Sequence, residues 1–472
     1  GILGILLLAA ATLLYYAIVI KRLRVEQLFV AMALPFGVIF SLVIALYTVP
    51  DEPSHIDTAY AISNELLGIE ESEKPGYIYK RACDADMNTE EKQSLSADSW
   101  ERLYSQLFTL ADDTTLVECA ARSNLNNAGK LYYLPQALGI TAGRLLGLGM
   151  MPTMMLGRLM HVLCYMLLVY FAIRKLPVAT TSMLLIACLP ITLQQAASFS
   201  YDGMINAISF LFVSYCVYAL YGEKLLGVRD FLVIALTGCL LASVKGGVYV
   251  PLCLLPLAVF FRKDRVHQAQ RKYFAALTLL FVFAFAKGNL ASLMSRLLAA
   301  QGTRSGGASG SEVYTMGYLL NNPLHALGLF VNTFYKQWDS YLRNLLGGNL
   351  AWREINIKWT VVFATLLILL LSCLRSEKEP SPGRLEKGYT GFLCLGCYCC
   401  IELSMLLAWT PVTYTYITGV QGRYFLPFFF LILFLLRNSL VSLKRNIDRQ
   451  LIFAAGMVNI ITILQVVQLV LD

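Results

Sequence analysis

The stretch LFVAMALPFGVIFSLVIALYTVPDEPSH, residues 28–55, decides the fold. Its first part, residues 28–49, is an uncharged apolar run that is long enough to cross a bilayer as a helix. The run ends at Pro50, and two carboxylates, Asp51 and Glu52, follow at once, with His55 shortly after them. Charge beside a bilayer must be paired, solvated or used. This segment therefore predicts a transmembrane helix that ends in a cluster of ionisable groups at the membrane surface.

Composition extends this interpretation to the whole chain. The 472 residues are 57% hydrophobic and 14% charged, with a mean hydropathy of +0.61, which is unlike a soluble domain. Backbone groups in lipid must hydrogen-bond to one another, and the alternation typical of membrane barrels is absent, so the spans should be helices. We predict an all-α polytopic membrane protein with about twelve transmembrane helices. The predicted spans are 1–20, 28–49, 155–173, 179–197, 204–221, 230–244, 248–262, 273–290, 359–375, 390–409, 423–440 and 451–471.

Basic residues fall in alternate short loops. These residues include Lys21, Arg22, Arg24, Arg174, Lys175, Lys224, Arg229, Arg262, Lys263, Arg265, Arg375, Lys378, Arg437, Lys444 and Arg445. Loops rich in lysine and arginine are cytoplasmic as a rule, so the acid-rich loop at about 50–154 and both termini should lie outside. The net charge of +8 then reflects topology, and we expect no nucleic-acid partner.

Two outer loops are long, at about 50–154 and 291–358, and both contain amphipathic segments. These segments are 57–71, a stretch capped by Ser96, 132–149, and an aromatic stretch at 323–346. We predict helices there, with those at 132–149 and 323–346 lying along the outer interface. A Gly/Ser-rich stretch at 302–311 is interpreted as a linker, serving either as a lid or as a plain tether. The chain divides into an added N-terminal helix (1–27), a main module (28–440) and a C-terminal helix (441–472).

Cysteine usage gives two hypotheses. Cys83 and Cys119 share the first outer loop, where either a disulfide or two free thiols would be compatible with an oxidising exterior. A cluster of four cysteines, at 394, 397, 399 and 400, lies inside a predicted span. Metal-bound thiolates would be unfavourable in lipid, so we interpret that cluster as apolar packing.

Polar groups recur where the predicted spans meet the outer surface. They are Asp51, Glu52, His55, Tyr201, Asp202, Asn206, Lys245, Tyr249, Gln421, Arg423 and Tyr424. Carboxylates can accept a proton from an attacking hydroxyl, and cations can neutralise charge on a departing phosphate. The planar fork of arginine is well suited to bind phosphate oxygens. The common depth of these groups predicts a site for a phosphate-bearing lipid.

Each group also has an ordinary structural explanation. The Asp51–Glu52 pair and Asp202 could cap helices, since carboxylates are favourable at helix N-termini. Lys245 and Arg423 could reach lipid headgroups as membrane anchors. We expect Arg158 and His161, at the start of a span, to be interfacial, and Glu402, inside a span, to pair with another buried polar group.

The same residues resemble a group of bacterial multi-spanning proteins assigned to the GT-C glycosyltransferase superfamily. The matching segments are Pro50–His55, Tyr133–Gly139, Leu156–Leu159, Ser200–Asp202 and Gln421–Pro427. They occur in order over most of the chain, from about 28 to 440. The ordered set, rather than any one segment, carries the resemblance.

The resemblance implies a GT-C-like bundle that takes a sugar from a polyprenyl-phosphate-linked donor at the outer face of the bacterial plasma membrane. It implies catalysis by an acidic residue of the first outer loop, either Asp51 or its rival Glu52. It also implies that Arg423 and Lys245 hold the lipid phosphate. The chain departs from the family pattern in its added first helix, and it lacks the large soluble C-terminal domain of some members, which leaves acceptor recognition to the loops.

Our hypothesis from the sequence is an inverting, metal-independent glycosyltransferase with a cell-envelope glycan or glycolipid as acceptor. In it, Asp51 deprotonates the acceptor, the phosphate leaves toward Arg423 and Lys245, and Glu52 and Asp202 orient the substrates. The expected substrate-binding set also contains His55, Tyr201, Tyr249, Gln421 and Tyr424.

Alternatives remain open at this stage. No cofactor is expected, but a divalent metal held by Asp51, Glu52 and Asp202 is an open alternative. A transporter or flippase of lipid-linked glycans would predict inverted repeats and discontinuous helices. An O-antigen-type polymerase or ligase would favour outer arginines over acids.

Overall fold

The computed structural model describes residues 2–85, 93–121, 129–262, 265–298, 304–305, 312–374, 382–437 and 446–471. Within these ranges the chain is mostly helical, which confirms the predicted class of helical membrane protein. The helices are α1 (Ile2–Tyr15), α2 (Val25–Val43), α3 (Glu52–Leu66), α4 (Ala82–Ala85), α5 (Ala97–Ser105), α6 (Lys130–Leu145), α7 (Met150–Lys175), α8 (Thr180–Ala187), α9 (Pro190–Ala196), α10 (Asp202–Tyr221), α11 (Val228–Ser243), α12 (Val250–Cys253), α13 (Arg265–Leu298), α14 (Met316–Asn321), α15 (Pro323–Leu345), α16 (Trp359–Ser372), α17 (Arg384–Ala408), α18 (Leu426–Leu436) and α19 (Asp448–Leu471). A π-helical turn, Tyr16–Ile20, continues α1, and 3-10 turns occupy Val244–Gly247, Leu255–Phe261 and Gly422–Phe425.

Among the described helices, seven are long and apolar enough to cross a membrane. They are Ile2–Ile20, Val25–Val43, Met150–Lys175, Asp202–Tyr221, Gln268–Leu290, Arg384–Ala408 and Asp448–Leu471. Two shorter apolar helices, Trp359–Ser372 and Gly422–Leu436, lie at the predicted spans 359–375 and 423–440, whose last residues fall outside the described part. The chain is therefore a polytopic membrane protein, while the count of about twelve spans stays a prediction.

Two predicted spans are interrupted in the structure. Span 179–197 consists of α8 and α9, with Pro190 at the first position of α9. Span 248–262 consists of the four-residue α12 and the turn Leu255–Phe261, each with a proline near its start. Proline lacks a backbone N–H and disfavours a helical residue before it, so each helix restarts at a proline instead of running through it.

The core of the bundle forms around α7, which packs against α2, α6 and α10. Helices α6 and α7 approach closely, and a Cβ atom on Gly139 would come within 2.4 Å of the backbone oxygen of Leu156. Only glycine allows the two backbones to come so near. Helix α6 also packs against α3, and near their starts His55 of α3 meets Tyr133 of α6.

The described residues between α3 and α6 form a small folded unit that packs on α3. Strands β1 (Tyr77–Arg81) and β2 (Leu116–Ala120) pair antiparallel, with Tyr77 opposite Ala120. Two buried ion pairs hold it: Lys80–Asp57 at 2.7 Å and Arg81–Asp84 at 2.6 Å. Both members of each pair are buried, so each charge offsets part of the cost of burying the other.

Several sequence predictions for the loops can be placed. Ser96 caps α5 as predicted, since its Oγ accepts a hydrogen bond from the Ser99 backbone N–H at 3.3 Å. Cys83 and Cys119 are free thiols. Of the Gly/Ser-rich stretch at 302–311, the structure describes only the strand β3 (Arg304–Ser305), which pairs with β4 (Glu312–Val313); the rest lies outside the described residues. A further two-residue ladder joins β5 (Asn349–Leu350) to β6 (Ile355–Asn356).

Candidate functional site

One cavity of about 450 Å³ collects most of the predicted site residues. Its walls come from one face of α3, the starts of α6 and α10, and the 3-10 turns Val244–Gly247 and Gly422–Phe425. The predicted residues that line it are Asp51, His55, Tyr201, Asp202, Lys245, Arg423 and Tyr424. Groups from positions far apart in the sequence therefore meet in a single space.

Asp51 occupies the N-cap position of α3, in a left-handed backbone conformation with φ of 60°. The Ser54 hydroxyl and the His55 backbone N–H donate to its carbonyl oxygen, at 2.9 and 3.2 Å. Its side chain is exposed to the cavity, and no hydrogen bond or ion pair to its carboxylate occurs within the described residues. The Asp51 carboxylate is therefore available to a ligand.

Glu52 points away from the cavity and is fully buried. The Arg158 guanidinium donates to both of its oxygens, at 2.7 and 2.8 Å from Nη2. The backbone N–H groups of Tyr47 and Phe199 donate to the same carboxylate, at 2.9 and 3.1 Å. Every lone pair is thus engaged, and Glu52 anchors the chain beside Asp51 instead of facing a substrate.

The expectation that Arg158 and His161 are interfacial is wrong. Both are 0% exposed inside α7. Besides Glu52, Arg158 donates to three backbone carbonyls at the C-terminal end of α2, those of Ser41, Ile44 and Ala45. A buried guanidinium is tolerated only when its donors are satisfied in this way. The Glu52–Arg158 pair therefore fixes the irregular stretch that ends at Asp51.

Opposite the α3 wall lies a charged group of three residues. The Lys245 Nζ lies 2.5 Å from the Asp202 carboxylate, and the Arg423 Nε lies 3.8 Å from its other oxygen. Gln195 donates to that second oxygen at 3.4 Å and so helps to orient it. Two cations and one carboxylate leave a net positive charge at this wall.

The ammonium of Lys245 is held in its charged form. Burial by itself would lower the pKa of Lys245. The Asp202 carboxylate, together with Tyr201 and Tyr424, outweighs burial and raises the pKa of Lys245 above its ordinary value. The ammonium also lies 4.3 Å from the ring centroid of Tyr424 and 5.3 Å from that of Tyr201. Lysine at this wall is therefore a permanent cation near neutral pH.

Aromatic rings form the wall between the acid and the cations. The Nδ1 of His55 lies 2.7 Å from the Tyr133 hydroxyl, and the His55 ring meets that of Tyr201 edge-on at 5.3 Å. Burial lowers the pKa of His55 to about 3, outweighing the opposing effect of Asp202. His55 is therefore neutral at physiological pH and serves as a hydrogen-bonding wall, not as a charge.

Four of the predicted polar residues lie outside this cavity. Glu52 is one, as described. Tyr249 is buried behind it and donates to the Tyr424 carbonyl at 3.0 Å. Gln421 directly precedes the 3-10 turn Gly422–Phe425, which we call the arginine turn because it contains Arg423. The backbone carbonyl of Gln421 accepts a hydrogen bond from the Tyr424 N–H at 2.9 Å. Asn206 is buried on α10 and donates a hydrogen bond at 2.8 Å to Gln195, the residue that itself contacts Asp202.

A family model described as predicted membrane protein (DUF2142) matches residues 34–432. The match covers most of the chain and every residue of the cavity. The chain belongs to the DUF2142 family. No curated protein and no solved structure matches it.

The cavity of this DUF2142 protein is also lined by several residues that the sequence analysis did not identify as site residues. On α3 they are Ser54, Thr58 and Glu65, and on α6 they are Lys130 and Tyr133. The α3 residues follow Asp51 at helical spacing, so a polar stripe was visible in the sequence. Lys130 forms an ion pair with Glu65 at the rim.

The structure does not bring the three carboxylates of the suggested metal site together. Asp51 and Asp202 both line the cavity, but Glu52 is turned toward Arg158. Across the described part of this DUF2142 protein, no group of three His, Cys, Asp or Glu side chains has the arrangement of a metal site. The donor set of the cavity is instead one free carboxylate and two cations.

Proposed function

We propose that this DUF2142 protein is an inverting glycosyltransferase that moves a sugar from a polyprenyl-phosphate-linked donor to a cell-envelope glycan or glycolipid. The observation that carries the proposal is the shared cavity, in which the free carboxylate of Asp51 faces the cations Lys245 and Arg423. The charge of Asp51 acts on Arg423 directly, so the two lie within electrostatic range of one another. The proposal includes the GT-C-like bundle, the outward-facing cavity and the bacterial plasma membrane.

In the proposed reaction, the carboxylate on one side of the cavity acts on the acceptor and the cations on the other side act on the donor phosphate. Asp51 accepts the proton of an acceptor hydroxyl while that oxygen attacks the anomeric carbon from the face opposite the phosphate. The bond between the anomeric carbon and the phosphate oxygen breaks, and the phosphate keeps the electron pair. Lys245 and Arg423 stabilise the charge that develops on that oxygen. The anomeric configuration is inverted because there is a single displacement.

Asp202 has a supporting part in this scheme. It pairs with both cations and therefore holds Lys245 and Arg423 side by side before the donor binds. An incoming phosphate would share the cations with Asp202 instead of meeting them unpaired. Preorganised charges of this kind stabilise a transition state without further rearrangement.

A second cavity of about 300 Å³ continues from the first and shares Tyr201, Lys245 and Tyr424 with it. Its far side is formed by α17, with Ile401, Met405 and Ala408 among others. A groove that begins at the cations and has apolar side chains of α17 along its far side suits the isoprenoid chain of a lipid-linked donor. The phosphate at Lys245 would then lie between the sugar in the first cavity and the lipid in the second.

The test is transfer by purified protein in lipid nanodiscs with a polyprenyl-phosphate-linked sugar and a membrane acceptor. Asp51→Asn should lower the transfer rate by about 10²-fold or more, since general-base catalysis contributes that much. Asp112→Asn, which changes an exposed aspartate of the same outer loop, is the matched control and should transfer normally. Normal transfer by a folded Asp51→Asn protein would contradict the proposal.

A transporter or flippase is the second candidate, and one observation favours it. The helix breaks at α8–α9 and at Val244–Gly247 are discontinuities of the kind that transporters use for binding sites. That reading predicts movement of an intact lipid-linked glycan across proteoliposomes, with no new glycosidic bond. Formation of a product that depends on Asp51 would decide against it.

A further inference from the structure

A buried carboxylate lies apart from both cavities. Glu402 belongs to α17, is 0% exposed, and neither of its oxygens has a hydrogen-bond partner among the described residues. An ionised carboxylate in the interior of a membrane protein is strongly unfavourable unless an opposite charge neutralises it. The sequence analysis expected a buried polar partner for Glu402, and the side chains that act on it are the phenols of Tyr341 and Tyr398.

Two phenols face this carboxylate. Tyr398 lies one helical turn earlier on α17, and Tyr341 comes from the last turns of α15. Both hydroxyls interact with the Glu402 carboxylate, yet both are buried and make no hydrogen bond of ordinary geometry within the described chain. Four buried oxygen atoms, two from the carboxylate and two from the phenols, are therefore gathered in one place with a single carboxylate charge among them.

We propose that Glu402, Tyr341 and Tyr398 form a binding site for a small, hard monovalent cation of the Na⁺ class. Hard cations prefer carboxylate and other oxygen ligands, which is the donor set present. One carboxylate balances one positive charge, so a monovalent ion fits the site better than a divalent ion. Intramembrane carboxylates are rare, and ion pathways are among the functions that they mark.

The cation site adjoins the arginine turn of the cavity. The ring of Phe425 contacts those of Tyr341 and Tyr398, with centroids 5.4 and 5.7 Å apart. Phe425 belongs to the same 3-10 turn as Arg423, whose backbone N–H donates to Asn344 of α15 at 2.9 Å. A bound cation would thus tie α15 and α17 together behind that turn. This inference does not depend on the glycosyltransferase proposal.

The test is thermal unfolding of the full chain in nanodiscs, titrated with NaCl against choline chloride at constant ionic strength and pH. We expect Na⁺ to raise the Tm by a few degrees and to saturate, as ligand binding to the folded state requires. Glu402→Gln should abolish the Na⁺ response. Glu386→Gln, which alters a buried glutamate on the same helix that Tyr221 and Arg262 already contact, should keep the response.

Tyr398→Phe removes one ligand without touching the carboxylate, and it should raise the Na⁺ concentration at half-saturation about tenfold. This variant keeps the inference testable if Glu402→Gln does not fold. Equal Tm values in NaCl and choline chloride for the unmodified protein would overturn the inference and indicate that the carboxylate carries a proton instead. A Na⁺ response that survives in folded Glu402→Gln would overturn it as well.

Discussion

Substitution of the two adjacent acids at the start of α3 should affect the stability of the protein very differently: Glu52→Gln should lower it strongly and Asp51→Asn should leave it almost unchanged. Glu52→Gln removes the charge that Arg158 pairs with, while the side chain keeps its shape. Both oxygens of Glu52 accept backbone N–H groups, from Tyr47 and Phe199, so an amide nitrogen at either position would face a donor. Loss of one partner of a buried ion pair typically costs about 3–5 kcal/mol.

That loss is a large part of the total stability of a typical protein, about 5–15 kcal/mol. Asp51→Asn, in contrast, changes a side chain that the protein itself does not bind. Asparagine tolerates the left-handed conformation of this position as well as aspartate does. We therefore expect the stability of Asp51→Asn to remain within about 0.5 kcal/mol of the unmodified protein.

The assay is the unfolding midpoint of each variant in the same lipid or detergent, read from near-UV circular dichroism. Arg158→Met should be destabilised like Glu52→Gln, and the double variant should lose less than the sum of the two, since the pair is coupled. If Glu52→Gln unfolds at the same midpoint as Asp51→Asn, the assignment of Glu52 as the structural member of the pair is refuted.

Three other changes follow from the same contacts. Gly139→Ala should destabilise the protein by about 1–3 kcal/mol because the added methyl meets backbone of the facing helix, while Gly388→Ala, where a Cβ meets nothing, should not; unfolding midpoints compare them. His55 takes up a proton in the unfolded chain near pH 6.5 but in the folded chain only near pH 3, so stability should fall on acidification between these values, by up to about 1.4 kcal/mol per pH unit, and His55→Gln should reduce that slope. Lys245→Met should raise the KM for the lipid-linked donor about tenfold or more, the usual effect of losing a charged hydrogen bond; an unchanged KM would place the phosphate elsewhere.

The sequence predicted the outline of the site because its residues follow a local rule. Each of its four charged residues, Asp51, Asp202, Lys245 and Arg423, lies where an apolar segment of the sequence gives way to a polar one. Ionisable side chains are unfavourable within lipid, so we expect such segment ends to lie at the same membrane surface, close to one another. The structure brings all four to one cavity. The membrane class followed equally directly from the length and frequency of the apolar runs.

The roles that the sequence analysis assigned wrongly depend on contacts between distant segments. Glu52 and Arg158 are 106 positions apart, and nothing near either one indicates that they meet inside the bundle. From its neighbours in sequence alone, an arginine at the start of a span is expected at the membrane interface. The same information does not distinguish which of two adjacent acids is the catalytic one. The role of Glu52 is decided by Arg158 and by two backbone donors, which only the fold brings to it.

The central claim is that the carboxylate of Asp51 and the cations Lys245 and Arg423 act on one substrate. The most direct measurement is a structure of the protein with a polyprenyl-phosphate-linked sugar bound. We predict the phosphate within hydrogen-bond distance of Lys245 and Arg423, with the anomeric carbon of the sugar turned toward Asp51. A phosphate bound away from both cations, or a sugar that cannot approach Asp51, would contradict the account.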